Sequence, residues 1–84
     1  MTEKEELLLA LKRALDLEEE FIVRVIPVSR NFLRSSELSE KEKNEVENIL
    51  SILESDSVEH KKIVENLIKK IEAEEKHGHQ EDTL

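Results

Sequence analysis

The chain has 84 residues and a mass of 9.8 kDa, which allows one small domain. Its net charge of −8 opposes a phosphate backbone and argues against nucleic-acid binding, and the absence of cysteine excludes disulfides and thiolate sites. No apolar run approaches the roughly 20 residues that cross a bilayer, and the acidic start differs from a basic signal peptide. We therefore expect a cytoplasmic protein with no nucleic-acid or membrane partner.

The first predicted element is a long helix over residues 3–35. Thr2 and Glu5 have the spacing of a capping box, which marks its start. Residues 21–28 are rich in β-branched side chains and would fit a strand, but the helical phase continues through them. Pro27 removes one backbone hydrogen bond, so we expect a kink or a split there. The apolar positions at helical spacing include Leu7, Leu11, Ala14, Phe21, Val25, Val28 and Phe32.

A second helix is predicted over residues 40–75. Ser39 and Glu42 repeat the capping-box spacing. The short polar connection at 34–38 favours antiparallel neighbours, so residues 1–75 form one helical-hairpin domain. From residue 76 to residue 84 the apolar pattern stops, which predicts a flexible acidic tail that carries histidines. The apolar stripe of the second helix is Val46, Leu50, Leu53, Val64, Leu67 and Ile71.

Two helices alone bury too little surface for a stable small domain. Each would be on the order of 50 Å long at 1.5 Å per residue, and neither could cover the whole apolar face of the other. We therefore expect an all-α fold in which two hairpins dimerise into a four-helix bundle, as a dimer or a higher even assembly. Leu9, Leu17 and Val23 lie outside the main apolar face. Either the helix-rich composition alone accounts for them, or they form a second contact surface, which would favour assemblies larger than a dimer.

Polar residues interrupt the apolar faces at one depth. Glu18 falls in the middle of the first face, with Glu19 at its edge. On the second helix the stripe should continue through positions 57 and 60, which are Ser57 and His60, and Asp56 lies beside them. Folding the hairpin about residue 37 sets position 18 level with position 56, so these side chains are expected to meet.

Two interpretations of this polar layer stay open. In the first, Glu18, Asp56 and His60 bind a divalent metal, with Ser57 and Glu19 beside the ligands. Two copies would then supply up to four carboxylates and two imidazoles, the mixture of a di-iron or di-manganese site, although zinc is also a candidate. In the second, no metal binds, and Glu18, Ser57 and His60 form a polar layer that fixes how the helices pair.

Catalysis has weaker support than binding. Ser57, His60 and Asp56 crowd one turn of one helix, and no glycine that could form an oxyanion hole is nearby. No catalytic residue is therefore predicted, and whether the protein is an enzyme stays open.

Two stretches carry a resemblance to a known family. Residues 15–22 (LDLEEEFI) and residues 52–68 (ILESDSVEHKKIVENLI) resemble the first and second helices of the ferritin-like superfamily, in particular its short rubrerythrin-type and half-ferritin members. The resemblance implies a ferritin-like four-helix bundle with a Glu-x-x-His pair of metal ligands on the second helix. This sequence keeps His60 but has Ser57 in place of that Glu, and Asp56 is shorter and one residue earlier.

Overall fold

The computed structural model describes the backbone of residues 2–82 and the side chains of residues 2–74. Within residues 2–82 the chain forms helices and no strand, which confirms the all-α prediction. No helix in this part of the chain combines the length and apolar content needed to cross a membrane. In chain order, the elements are α1 (Glu3–Glu20), a π-helical turn (Phe21–Val25), α2 (Ile26–Ser35) and α3 (Glu40–Asp82).

Both predicted helix starts have the expected caps. The Glu5 N–H donates to Thr2 Oγ1 at 3.1 Å, and the Thr2 N–H donates to Glu5 Oε1 at 3.3 Å. At the second start, the Glu42 N–H donates to Ser39 Oγ at 3.2 Å, and the Ser39 N–H donates to Glu42 Oε1 at 3.1 Å. Each pair satisfies backbone donors that the first turn of a helix leaves free.

The predicted helix ends agree with the structure at one of two places. The first helical segment ends at Ser35, as predicted, but α3 continues past residue 75 to Asp82. The prediction of an end at residue 75 relied on the apolar pattern, which stops there. Glu and Lys are good helix formers without any apolar neighbour, so the helix does not need that pattern to continue. The tail histidines, His77 and His79, lie outside the described side chains.

The two long segments form an antiparallel hairpin. Lys12 Nζ, in the middle of α1, lies 3.6 Å from Glu72 Oε2, in the C-terminal part of α3. Arg30 Nε of α2 lies 2.9 Å from Glu47 Oε1, near the start of α3. Apolar side chains fill the contact between the helices, and one cluster of them consists of Leu8, Leu11, Leu15, Val64, Ile68 and Ile71.

The first helical segment is neither split nor regular at Pro27. Immediately before it, the Ile26 N–H donates to the Phe21 carbonyl oxygen, five residues back instead of four. Proline has no N–H and its ring crowds the preceding turn, so the backbone widens there. One π-helical turn absorbs the distortion, and the helix continues to Ser35.

This π-helical turn changes the direction, around the helix axis, of every later side chain in the first helical segment. A seven-residue repeat counted from the half-buried Leu11 would place positions 25 and 32 in the hairpin contact, but Val25 is exposed and Phe32 is 72% exposed. The next residues take their places: Ile26 is 0% exposed and Leu33 is half-buried. A shift by one position is what one extra residue in a turn produces.

Candidate functional site

An open groove lies between α1 and α3 at the middle of the hairpin. It has a volume of about 400 Å³ and brings together the four polar residues that the sequence placed at one depth. The groove residues are Leu17, Glu18, Phe21, Leu53, Asp56, Ser57 and His60.

The polar contact in the groove joins Glu18 and His60. Glu18 Oε1 lies 3.4 Å from His60 Nδ1, and the two side chains are 27% and 59% exposed. Ser57 is buried, whereas Asp56 is exposed at the rim. The imidazole and the two carboxylates are therefore open to whatever covers the groove.

The described side chains of a single hairpin, residues 2–74, do not supply a metal site. Among the described side chains, no three or more His, Asp and Glu residues are arranged to hold a metal ion. Glu18, Asp56 and His60 line the same groove but do not converge on one point. The predicted ligand set fits a metal only if a second copy adds groups to it.

Glu19 lies away from the groove, in contrast to its predicted place beside the ligands. Its carboxylate pairs with Lys61, and hydrogen bonding to Glu19 raises the pKa of the Lys61 ammonium. Residues two apart on an α-helix differ by about 200° at 3.6 residues per turn, so Glu19 points away from Leu17 and Phe21. It belongs to the opposite side of the hairpin.

That opposite side is closed by charge pairs between the helices, and we call it the ion-paired face. Lys12 and Glu19 are seven residues apart on α1 and share one side of the helix. Both reach carboxylate or ammonium groups of α3. The residues that define the ion-paired face are Lys12, Glu19, Arg30, Glu47, Glu54, Lys61 and Glu72.

Arg30 joins two acidic residues of α3 on this face, and the sequence did not single it out. Its side chain is 22% exposed, and Nη2 lies 3.1 Å from Glu54 Oε1 while Nε contacts Glu47. The hydrogen bonds that Arg30 donates, to Glu54 first and to Glu47 second, raise the pKa of its guanidinium. Arg30 follows Ile26 by one turn, so only the rotation introduced by the π-helical turn brings it to α3.

The groove side carries exposed apolar residues instead, and we call it the open face. Leu17 is 72% exposed and lines the groove, so it extends this face. It therefore does not belong to a separate second contact surface, which its position outside the main apolar face had suggested. On α3, exposed side chains follow steps of four and three residues through the groove. The open face consists of Leu17, Glu18, Phe21, Ile49, Leu53, Asp56, His60, Ile63 and Leu67.

The balance of apolar burial is unusual for an isolated domain. Among the described side chains, five apolar residues are buried, whereas fourteen large apolar residues are exposed. Single exposed apolar side chains are normal, but a continuous stripe of them marks an interaction surface. In comparisons with protein-family models, with curated proteins and with solved structures, nothing matches this chain.

Proposed function

We propose that this protein is a self-associating helical scaffold: two hairpins pack open face to open face into a four-helix bundle, and the polar layer of Glu18, Ser57 and His60 fixes their pairing. The observation that carries the proposal is the groove, where exposed apolar residues surround a polar centre. A surface of this composition is that of a helix bundle cut in half.

Apolar burial supplies the driving force in this proposal. Burial of apolar surface contributes about 25 cal/mol per Å², and the hairpin leaves side chains as large as Leu17 and Leu53 exposed on one side. Stacking two such sides at the usual distance of about 8–10 Å between helix axes would remove both from water. The ion-paired face has its charges satisfied within the chain and needs no partner.

The polar layer supplies specificity. A carboxylate that loses water on burial is costly unless it keeps a hydrogen-bonding partner. Glu18 already has His60 at 3.4 Å, so pairings that align the polar groups are favoured over pairings that press them against apolar side chains. Such layers are known to select register and oligomer state in helical assemblies.

Sedimentation equilibrium and native mass spectrometry of the full chain test the proposal. We expect a dimer, or an even assembly of dimers, at micromolar concentration. A monomer that keeps its helical circular dichroism signal at that concentration would overturn the proposal, because the open face would then be stable in water.

A second candidate function is metal binding at the same layer, in the manner of ferritin-like proteins. The observation that favours it is that Glu18, Asp56 and His60 line one groove. Two paired hairpins would gather four carboxylates and two imidazoles, which suits iron or manganese. The chemistry that such an ion would supply is redox or Lewis-acid chemistry.

One variant separates the two candidates. Native mass spectrometry after anaerobic Fe(II), Mn(II) or Zn(II) addition counts the ions that the assembly retains. If the layer is a metal site, His60→Ala abolishes stoichiometric metal binding and leaves the oligomer in place. If the layer only fixes pairing, wild type retains no ion, and His60→Ala changes the stability or size of the oligomer.

A further inference from the structure

We propose that the occupant of the open face is a second copy of this chain, related by a two-fold axis that is perpendicular to α3 and passes between the two copies of α3, level with position 58. In this arrangement Asp56 of each chain faces His60 of the other. The inference rests on the proposed self-association and adds to it the direction of pairing and the contacts that select it.

The open-face residues of α3 are symmetric about position 58. Ile49 and Leu67 are each nine positions from it, and Leu53 and Ile63 are each five positions from it. All four are exposed large apolar residues. Their successive spacings of four, ten and four residues keep them on one side of the helix, the side that Leu53 fixes as the groove side.

The polar residues obey the same symmetry. Asp56 and His60 are each two positions from 58, both are exposed, and both line the groove. Reversing the direction of α3 therefore exchanges acid with imidazole and apolar residue with apolar residue. The stripe from position 49 to position 67 is about 27 Å long at 1.5 Å per residue, so it is long enough to define a register.

A two-fold rotation performs this reversal. It lays α3 antiparallel on the partner's α3, with Ile49 over the partner's Leu67 and Leu53 over the partner's Ile63. Asp56 then faces the partner's His60, and the contact occurs twice because a two-fold interface repeats every contact. Each imidazole lies between Glu18 of its own chain and Asp56 of the partner, so polar groups at the centre face polar groups.

The competing arrangement has its two-fold axis parallel to the helices. There α3 lies on the partner's α1, and the groove residues set the heights: Asp56 would face the partner's Leu17, the partner's Phe21 and the like-charged carboxylate of the partner's Glu18. A carboxylate would be desolvated against an isobutyl group and a phenyl ring, which is costly. The charge pattern of the open face therefore favours the perpendicular axis.

A mixing experiment tests the contact between Asp56 and the partner's His60. His60→Glu faces acid with acid, and Asp56→Lys faces a cation with an imidazole, so each variant alone should lose self-association by about 100-fold in Kd. In a mixture, the new lysine of the D56K chain meets the new glutamate of the H60E chain across the axis, while the remaining Asp56 and His60 still face each other. We expect the heterodimer to form with a Kd within about tenfold of wild type.

Native mass spectrometry reads the result directly, because the two variant chains differ in mass. Circular dichroism of each variant confirms that the hairpin is folded, a control that matters for His60→Glu because Glu18 is next to it. Folded variants that pair no better when mixed than alone would overturn the inference. A monomeric wild type would instead overturn the proposed self-association.

A cysteine probe tests the same axis without changing a charge. Phe21 lines the groove at the height of Asp56 and His60, so the perpendicular axis brings two copies of Phe21 face to face. The natural chain has no cysteine, and Phe21→Cys should therefore form an intermolecular disulfide under mild oxidation. Leu9→Cys, which is far from the midpoint of the hairpin, is the matched control and should cross-link at least about tenfold more slowly.

The parallel axis predicts the opposite result for the probe. It sets the two copies of α1 diagonally across the bundle, where cysteines at position 21 are too far apart to bond. A wild-type dimer whose Phe21→Cys variant cross-links no faster than the Leu9→Cys variant would overturn the perpendicular axis.

Discussion

The two broad sides of the hairpin differ: charge pairs within the chain close one side, and the other side is left open. On the ion-paired face, Lys12, Arg30 and Lys61 each reach an acidic partner on the opposite helical segment, and the contact is complete within one chain. On the open face, Leu17 and Leu53 flank a groove that no described part of the chain covers. A charged side chain can span the gap between two helices while its charged end stays in water. An apolar side chain gains stabilising free energy only when another surface excludes water from it. The difference indicates which side takes a partner.

The largest effect should come from placing a charge on the open face. Leu53→Asp removes about 2 kcal/mol of apolar burial per chain, or about 4 kcal/mol per dimer, which weakens self-association roughly a thousandfold. Val58→Asp is the matched control: Leu53 and Val58 are 41% and 37% exposed, but Val58 lies one turn from Glu54 and Lys61 on the ion-paired side. Sedimentation equilibrium measures both. Equal weakening by the two variants would refute the distinction between the faces.

The second-largest effect concerns the contact between the two helical segments, which lies between the two faces. Ile26 is fully buried where the π-helical turn meets α3, and Ile26→Ala should lower the free energy of unfolding by about 3 kcal/mol. Val23→Ala shortens an exposed side chain in the π-helical turn itself and should lower the free energy of unfolding far less. Urea denaturation at one fixed protein concentration compares them. Similar midpoints for the two variants would show that Ile26 does not anchor the hairpin.

A smaller and salt-dependent effect is expected on the ion-paired face. Arg30→Met removes the group that joins Glu47 and Glu54, while Arg24→Met removes a partner only of Glu20 in the same helical segment. The Arg30 variant should lower the urea midpoint more than the Arg24 variant, and the difference should shrink in about 1 M NaCl. Self-association should be unchanged in both. A dimer lost with Arg30→Met would mean that the ion-paired face also takes part in pairing.

The smallest effect is the pH dependence of the cap of α3. Hydrogen bonds from Ser39 lower the pKa of Glu42 below its ordinary value of 4.5. A lowered folded-state pKa stabilises the fold above the ordinary value and loses that effect as the pH falls through the folded value. Ser39→Ala should therefore reduce the urea midpoint at about pH 7 and reduce it less at about pH 3. Ser55→Ala, in the middle of α3, should show no such difference.

Sequence patterns predicted most of the backbone. The capping boxes at Thr2 and Ser39 marked both helix starts, and the short polar connection indicated the antiparallel hairpin. The same patterns brought Glu18 and His60 to one depth, where they are 3.4 Å apart. Local hydrogen bonds and helical spacing determine these features, and both can be recognised in the residues.

Side-chain directions in α2, which follows the π-helical turn, could not be predicted in the same way. A helical projection assumes about 100° per residue, and one π-helical turn rotates all later positions of the first helical segment. The projection therefore places Arg30 in solvent although it lies against α3.

On α3, the projection also puts Ser57 and His60 on one stripe. They differ by about 60° at 3.6 residues per turn, which buries Ser57 and leaves His60 open to a partner.

The π-helical turn holds one spare residue of chain. Deleting one residue from Phe21–Val25 would return the turn to α-helical geometry and leave α2 facing α3 as before, although the Pro27 ring would again crowd the preceding turn. A deletion at Ala14 would instead rotate all that follows in this segment by about 100°. Thermal melts of the two deletions should differ accordingly. At this one place the length of the first helical segment can change without changing the orientation of α2 relative to α3. A change of length at its other positions would change that orientation.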